Sequence, residues 1–387
     1  MKKLFALVMT ACLVLSLFAG CGASGASDAD PNVIKIGMSG PLTGGAAVYG
    51  TAVEAGMKIA VAEINAAAEA NGGLKIEFKA QDDEHDNEKA LNAYNSLKDW
   101  GMQIFAGAVT TGPCLQIAPE TVADQIFMMT PSGSSDKIAL TGNNIFQMCF
   151  TDPNQGASAA ELVHNLNLGT TIGIIYDNSD DYSKGLMQGF KEKAAEYGMN
   201  IAVETSFTAD NKNDLSTQVT QCKDAGCDFV FLPFYAQEAA QVLTYANTIG
   251  YKPTFVGCDG MDGILTTEGF DPALAEGLML LTPFSADSAD EATQAFVKKY
   301  QEKTGILPNQ FAADAYDVIY AIYQACNQGK VTVDMTAAEI NEIMKAQFTS
   351  MTFSGLTGEG MTWLADGTVS KEAKAVVIEN GKYVDVE

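Results

Sequence analysis

The sequence predicts an α/β protein of two lobes, each a mostly parallel, doubly wound sheet with helices on both faces. Three observations carry that expectation. Apolar strand patterns alternate with helical ones along nearly the whole chain. The alternation restarts near Phe150-Thr151-Asp152-Pro153, giving a second unit of similar size. About 355 residues remain once a leader and a tether are set aside, too many for one ordinary core and suited to two.

In the first unit, Ile34 to Met38 reads as a short apolar strand, followed by the loop Gly40 to Gly45. Val53, Met57, Val61 and Ile64 then recur at the spacing of one helix face. Lys75 to Gln81 alternates polar and apolar residues, the pattern of a half-buried strand. A helix over 87–99 leads to strand 103–107, and a helix over 113–125 to strand 126–130. Short connections between alternating elements argue for parallel strands covered on both faces.

The second unit repeats the pattern. Helix 155–167 precedes strand 171–176, helix 184–197 strand 200–204, helix 213–225 strand 228–232, and helix 236–249 strand 253–257. After Leu278 to Pro283 come helical stretches near 290–303, 311–328 and 336–347. Short strands with Asp366-Gly367 and Asn380-Gly381 turns close the chain. These late pieces complete the first two units, which requires the chain to cross between lobes more than once.

The leader is an export signal. Lys2 and Lys3 precede an apolar stretch from Leu4 to Phe18, and small residues Ala19 and Gly20 precede Cys21. The stretch falls short of the roughly 20 residues that cross a bilayer. Cleavage before Cys21 would leave that cysteine, acylated, as the new N-terminus. Residues 22–30, GASGASDAD, then form a small, polar tether that ends by residue 32.

Loss of residues 1–20 removes two lysines and no acid, taking the formal charge from −25 to −27. Nucleic acid is excluded as a partner, because its binding rests on lysine and arginine neutralising phosphates. An anionic membrane surface would repel such a body, leaving contact to the N-terminus. Six cysteines remain in the body: Cys114, Cys149, Cys222, Cys227, Cys258 and Cys326. They are scattered, lack a CxxC spacing and read as buried, mainly reduced thiols, with no metal site implied.

In open α/β sheets, ligands bind beyond the carboxyl ends of the strands. The candidates there are Ser39 to Thr43, Thr110 to Gly112, Thr130 to Ser135, Tyr176 to Tyr182, Phe234-Tyr235 and Cys258-Asp259. Thr111 reads as the N-cap of the helix opened by Pro113, whose N–H groups and positive potential suit a carboxylate. It could equally serve its own helix alone. Ser132, Gly133 and Ser134 offer hydroxyls and backbone groups in a loop that also fits a plain turn. Asp259 follows an apolar strand, where a carboxylate needs either a cationic partner or a capping role. The acidic run 81–86 reads as a solvated loop capping the next helix through Asp86 or Asn87. His85 and His164 stand in separate contexts, so no nucleophile–base or two-histidine metal arrangement supports an enzyme.

Seven segments in order resemble the type I periplasmic-binding-protein family, in particular its branched-chain amino acid (Leu/Ile/Val) branch. They are IGMSGPLTGGAAVYG (36–50), QDDEHDNEKALNAYNSL (81–97), GAVTTGPC (107–114), MMTPSGSS (128–135), FTDPNQG (150–156), IIYDNSDDYSKG (174–185) and FVGCDGMD (255–262). The run Leu17 to Cys21 resembles a bacterial lipobox, which implies a lipid anchor at Cys21 on the outer side of the cell membrane.

The resemblance implies three crossovers, near Thr151, Thr282 and Phe353. The first lobe is then 33–150 with 283–352, and the second 151–282 with 353–387. It implies an ABC-importer receptor that closes on an amino acid, docks on a permease, acts as a monomer and needs no cofactor. Thr111 would hold the ligand carboxylate. Ser132 and Ser134 would supply a carbonyl to the ammonium and a hydroxyl or N–H to the carboxylate. Asp259 would pair with the ammonium, where the branched-chain branch carries glutamate. Tyr49, Tyr182, Tyr235 and Phe311 would close over the side chain. The alternatives are a short amide, urea-like solute or aromatic acid as ligand, or a sensing module of a signalling system.

Overall fold

The computed structural model describes residues 32–371 and 373–386; the expected leader, Cys21 and most of the tether lie outside them. The first sheet contains β1 (Val33–Gly40), β2 (Lys75–Asp82), β3 (Ile104–Phe105), β4 (Phe127–Thr130) and β5 (Ile145–Gln147). Its order is β2-β1-β3-β4-β5, parallel throughout. Helices α1 (Ala47–Asn71), α2 (Asn87–Asp99), α3 (Thr111–Asp124) and the short α4 (Asp136–Ala139) connect the strands. Only two residues of the expected strand 103–107 pair as β3, although Gln103 and Ala106 N–H groups still bond to the Lys35 and Gly37 carbonyls of β1.

The second sheet holds seven strands. In the chain, α5 (Asp152–Leu166), β6 (Ile172–Asp177), α6 (Asp181–Glu196), β7 (Ile201–Phe207) and α7 (Ser216–Asp224) come first. Then follow β8 (Phe229–Leu232), α8 (Ala236–Thr248), β9 (Thr254–Gly257) and β10 (Met279–Thr282). Helices α9 (Glu291–Thr304), α10 (Gln310–Gly329) and α11 (Ala337–Phe348) return to the first lobe, and β11 (Lys374–Glu379) with β12 (Lys382–Asp385) end the chain. The order is β12-β11-β10-β9-β8-β6-β7, with only β11 and β12 antiparallel.

Each sheet has an apolar cluster on both faces, as buried parallel strands require. On α1 the buried stripe runs Val53, Met57, Ala60, Ile64, and Val61 sits half-buried beside it. This stripe meets α10, where Phe311, Val318, Ile319 and Ile322 are buried, each contributing roughly 1.5–3 kcal/mol. The two helices touch at backbone distance: a Cβ built on Gly56 would lie 2.1 Å from the Ala312 carbonyl oxygen.

Phe353 does not open the second lobe. Phe353, Met361, Trp363 and Val369 belong to the first lobe's core, tied by bridges Phe353–Met361 and Trp363–Val369. The reason is the exposed edge of β5, whose backbone groups need partners. Gln147 N–H donates to the Gly367 carbonyl at 3.0 Å, and Trp363 Nε1–H donates to the Gln147 carbonyl at 2.8 Å. The chain enters the second sheet only between Val369 and Lys374. A buried Lys371–Asp314 ion pair (2.6 Å) fixes that passage, with Lys371 also donating to Thr357 Oγ1.

Candidate ligand-binding site

The carboxyl ends of both sheets face each other across one closed cleft. From the first lobe, Val109, Thr110, Thr111, Ser132 and Ser134 line it beyond β3 and β4, with Tyr49 at the start of α1 and Phe311 at the start of α10. From the second come Tyr182, Tyr235, Asp259 and Gly260, beyond β6, β8 and β9. The cavity measures only about 10 Å³, room for one water, because aromatic rings fill it. Tyr182 stacks on Tyr235 (4.9 Å between centroids), and Tyr49 meets Tyr235 at 5.2 Å and Phe311 edge-on at 5.0 Å. A larger cavity, about 790 Å³, runs along the flank of the hinge and includes none of these strand-end residues.

Hydrogen bonds hold the lobes shut. Tyr49 donates its hydroxyl to the Gly260 carbonyl at 2.6 Å and accepts Ala236 N–H at 3.0 Å. Gln310, at the start of α10, gives its backbone N–H to Asp262 Oδ2 (2.7 Å) and its Nε2–H to the Asp259 carbonyl (3.0 Å). His85 lies edge-on to Tyr235 and shares a 2.9 Å hydrogen bond with Thr110 Oγ1.

Asp259 opens a single 3₁₀ turn after β9 and is buried. Oδ1 accepts from the Tyr182 hydroxyl at 2.5 Å and from Gly260 N–H at 2.8 Å, while Gln155 Oε1 accepts Asp259 N–H. Burial pushes its carboxyl up to about 6, against the pull of the Tyr182 hydroxyl and the Gly260 N–H. Among the described residues it has no ion-pair partner. All 23 basic residues of the chain are lysines, and none lines the cleft. Any carboxylate held here is therefore met by neutral donors.

Those donors stand on the first lobe. Thr110, not Thr111, occupies the N-cap of α3, because its backbone is still extended and the helix already begins at Thr111. Thr110 makes no side-chain cap; its hydroxyl is held by His85. The buried Thr111 side chain is left to face the cleft at the helix N-terminus. Ser132 Oγ donates to the Val109 carbonyl at 2.7 Å. Gly133 is placed away from the cleft: Gln147 and Cys149 occupy its carbonyl, Thr130 Oγ1 accepts its N–H, and a Cβ there would strike Cys114 Sγ. Its role is to shape the loop between two lining serines. Of the Phe234-Tyr235 pair, Phe234 packs edge-on against Phe207 in the second lobe's core and Tyr235 faces the ligand side.

Two residues that the sequence pattern passed over stand beside Asp259. Asp152 opens α5 at the first crossover, fully buried, and neither carboxylate oxygen has a hydrogen-bond partner among the described residues. Burial raises its pKa well above the usual range, and the charges of Asp259 and Asp180 push the same way. Gln155, one turn on, leaves its Nε2 equally unpartnered. The acidic run 81–86 caps α2 through Asp86, but Asp83 within it is buried, with its carboxyl pushed up to about 6 by burial. Among the described residues no group of three or more histidine, cysteine or acidic side chains could hold a metal.

A family model described as periplasmic binding protein matches residues 33–382. The chain belongs to that family. Proteins of this family work outside the cytoplasm, and no described helix is long and apolar enough to cross a membrane. A leucine-, isoleucine-, valine-, threonine- and alanine-binding protein of Pseudomonas aeruginosa is 29% identical over 296 residues, 75% of this chain and 77% of its own. The Leu/Ile/Val-binding protein of Escherichia coli K12 is 27% identical over 88% of this chain and 91% of its own. Among solved structures, the branched-chain amino acid transporter substrate-binding protein LivJ of Streptococcus pneumoniae, in complex with isoleucine, superposes with a TM-score of 0.81 at 26% identity. That match covers 91% of this chain and 97% of the other.

Proposed function

We propose that the protein is the solute-binding receptor of an ABC importer, that it holds an amino acid by both of its charged ends, and that its closed form docks on a membrane permease. The observation that carries this is the division of chemistry across the cleft. The second lobe presents a buried carboxylate without a cation, Asp259, and the first presents a helix N-terminus with Thr111 and Ser134. A zwitterion satisfies both, and the ring cluster of Tyr49, Tyr182, Tyr235 and Phe311, which fills the cleft here and must part to admit a ligand, suits an apolar side chain. The relatives whose names state a cargo, branched-chain and small aliphatic amino acids, support the same class.

A ligand that touches both lobes favours the closed form by its differential affinity for it. An aromatic acid or a neutral amide would leave the Asp259 carboxylate buried without a counter-charge, which disfavours both. Turnover is disfavoured too: the Ser132 hydroxyl is committed to a carbonyl, and although the Thr110 hydroxyl meets His85, no third group among the described residues hydrogen-bonds to that ring to orient it as a base. In this reading Cys21 carries the lipid that keeps a monomeric receptor beside its permease.

A thermal-shift screen against the L-amino acids, short amides, urea and aromatic acids tests the proposal, since a ligand bound only by the native state raises Tm. Shifts confined to one or a few L-amino acids are expected. Shifts with benzoate or amides alone would overturn the role given to Asp259, and a flat screen would overturn the receptor reading.

A further inference from the structure

We propose that Cys222 and Cys227 are a redox pair that closes to an intramolecular disulfide, stapling the end of α7 to the entry of β8. All six described cysteines are free thiols in this structure. Helix α7 ends at Asp224, Ala225 caps it, and Gly226 takes a left-handed φ of 71°. The chain therefore reverses, and Cys227 N–H donates to the Cys222 carbonyl at 3.0 Å. This helix-ending closure sets the side chains at its two ends against each other, usually as an apolar contact. Here both ends are cysteine.

Both thiols press on one spot of β6. A Cβ built on Gly173 would lie 2.9 Å from Cys222 Sγ and 3.3 Å from Cys227 Sγ, so the missing side chain there makes room for the two sulfurs. The turn is pinned from outside: Tyr251 donates its hydroxyl to the Cys227 carbonyl at 2.8 Å, and Lys223 Nζ donates to the Ile249 carbonyl at 2.6 Å. The other four cysteines face different partners: Cys114 meets Thr130, Cys149 the Gly133 carbonyl, Cys258 Tyr182 and Cys326 Met344. The pairing is thereby selective.

The oxidant is a disulfide of the small-molecule or thiol-oxidoreductase class. The Cys227 thiolate attacks one of its sulfurs, expelling one thiol and forming a mixed disulfide. The Cys222 thiolate then attacks the Cys227 sulfur, expelling the second thiol, and the two protons lost by the pair go to the two departing thiolates. Burial pushes the Cys222 thiol up to about 12 and raises that of Cys227 as well, so closure is slow at neutral pH and faster in alkali. The pair lies at the opening of β8, whereas Tyr235 lies beyond its far end, so closing it leaves the ligand cleft untouched.

The test is exposure of the folded mature protein to oxidised glutathione at pH 8.5, followed by acid quench, alkylation and cleavage after lysine, which separates the two cysteines at Lys223. The expected product is one Cys222–Cys227 cross-link, located by fragmentation, with two fewer alkylated thiols, full reversal by reductant, and Tm higher by about a few degrees. Ligand affinity should be unchanged. A stable glutathione adduct on either cysteine without closure would overturn the proposal. So would full alkylation of both after prolonged exposure, or a cross-link that engages any of the other four.

Discussion

The hydroxyl of Tyr182 stands 2.5 Å from Oδ1 of Asp259, and the amide of Gly260 completes the same small ring of hydrogen bonds. The carboxylate is thus fixed in position while still lacking a positive charge. Asp259→Asn keeps the shape and removes the charge. It should weaken binding of the amino acid by about 3–5 kcal/mol, the scale of breaking a buried pair, with Tm of the unliganded protein held or raised. Calorimetry with the ligand found in the thermal screen checks this, and an unchanged Kd refutes the ammonium assignment.

Tyr49 reports on closure. Its hydroxyl bridges Gly260 and Ala236 in the other lobe, and Tyr49→Phe leaves a buried carbonyl and N–H unpaired only in the closed form. The expected loss is about 1–3 kcal/mol of affinity, expressed mainly as faster ligand release. Stopped-flow dissociation measures it.

The pH dependence has opposite signs with and without ligand. Burial raises Asp83, Asp259 and Asp317 to about 6 and Asp180 and Asp262 to about 7, above the ordinary carboxylate value of 3.8. The native state therefore holds protons that the unfolded chain releases, so this stability is present in full below the ordinary carboxylate value and is lost as pH rises through about 6 to 7. Tm of the free protein should rise on mild acidification from pH 8 to 5. Ligand affinity should fall over the same interval, because an ammonium needs Asp259 ionised. Calorimetry at pH 5 in buffers of different ionisation heat should show proton release on binding.

Gly56→Val tests the close approach of α1 and α10. The added atoms meet the Ala312 backbone and not a movable side chain, so a loss of about 1–3 kcal/mol is expected in denaturant unfolding.

Much of this was legible in the residues. Strand-end reasoning reached Thr111, Ser132, Ser134, Tyr182, Tyr235 and Asp259, all of which line the cleft, because a parallel sheet puts its carboxyl ends on one side. Neighbouring positions were harder. Gly133 and Thr110 differ from their neighbours only in which way a loop turns them, and that depends on Gln147 and His85, distant in sequence. Asp152 looked like the start of a crossover, and nothing local marks a carboxylate that burial will leave without partners. Phe353 looked like the start of the second lobe because the bridges that fold it back run to Met361 and the strap they form ends on β5.

That strap has a consequence for life in a crowded envelope. An unpaired edge strand is a template on which a second copy can add itself, and β5 is the edge of the first sheet. Residues 361–369 occupy it from within, with the Trp363 indole seated on the Gln147 carbonyl and packed edge-on to Phe348. The segment works as a built-in blocker of edge-to-edge aggregation, so a chain that loses Trp363 should betray itself first by self-association during export and only later by a weaker grip on its cargo.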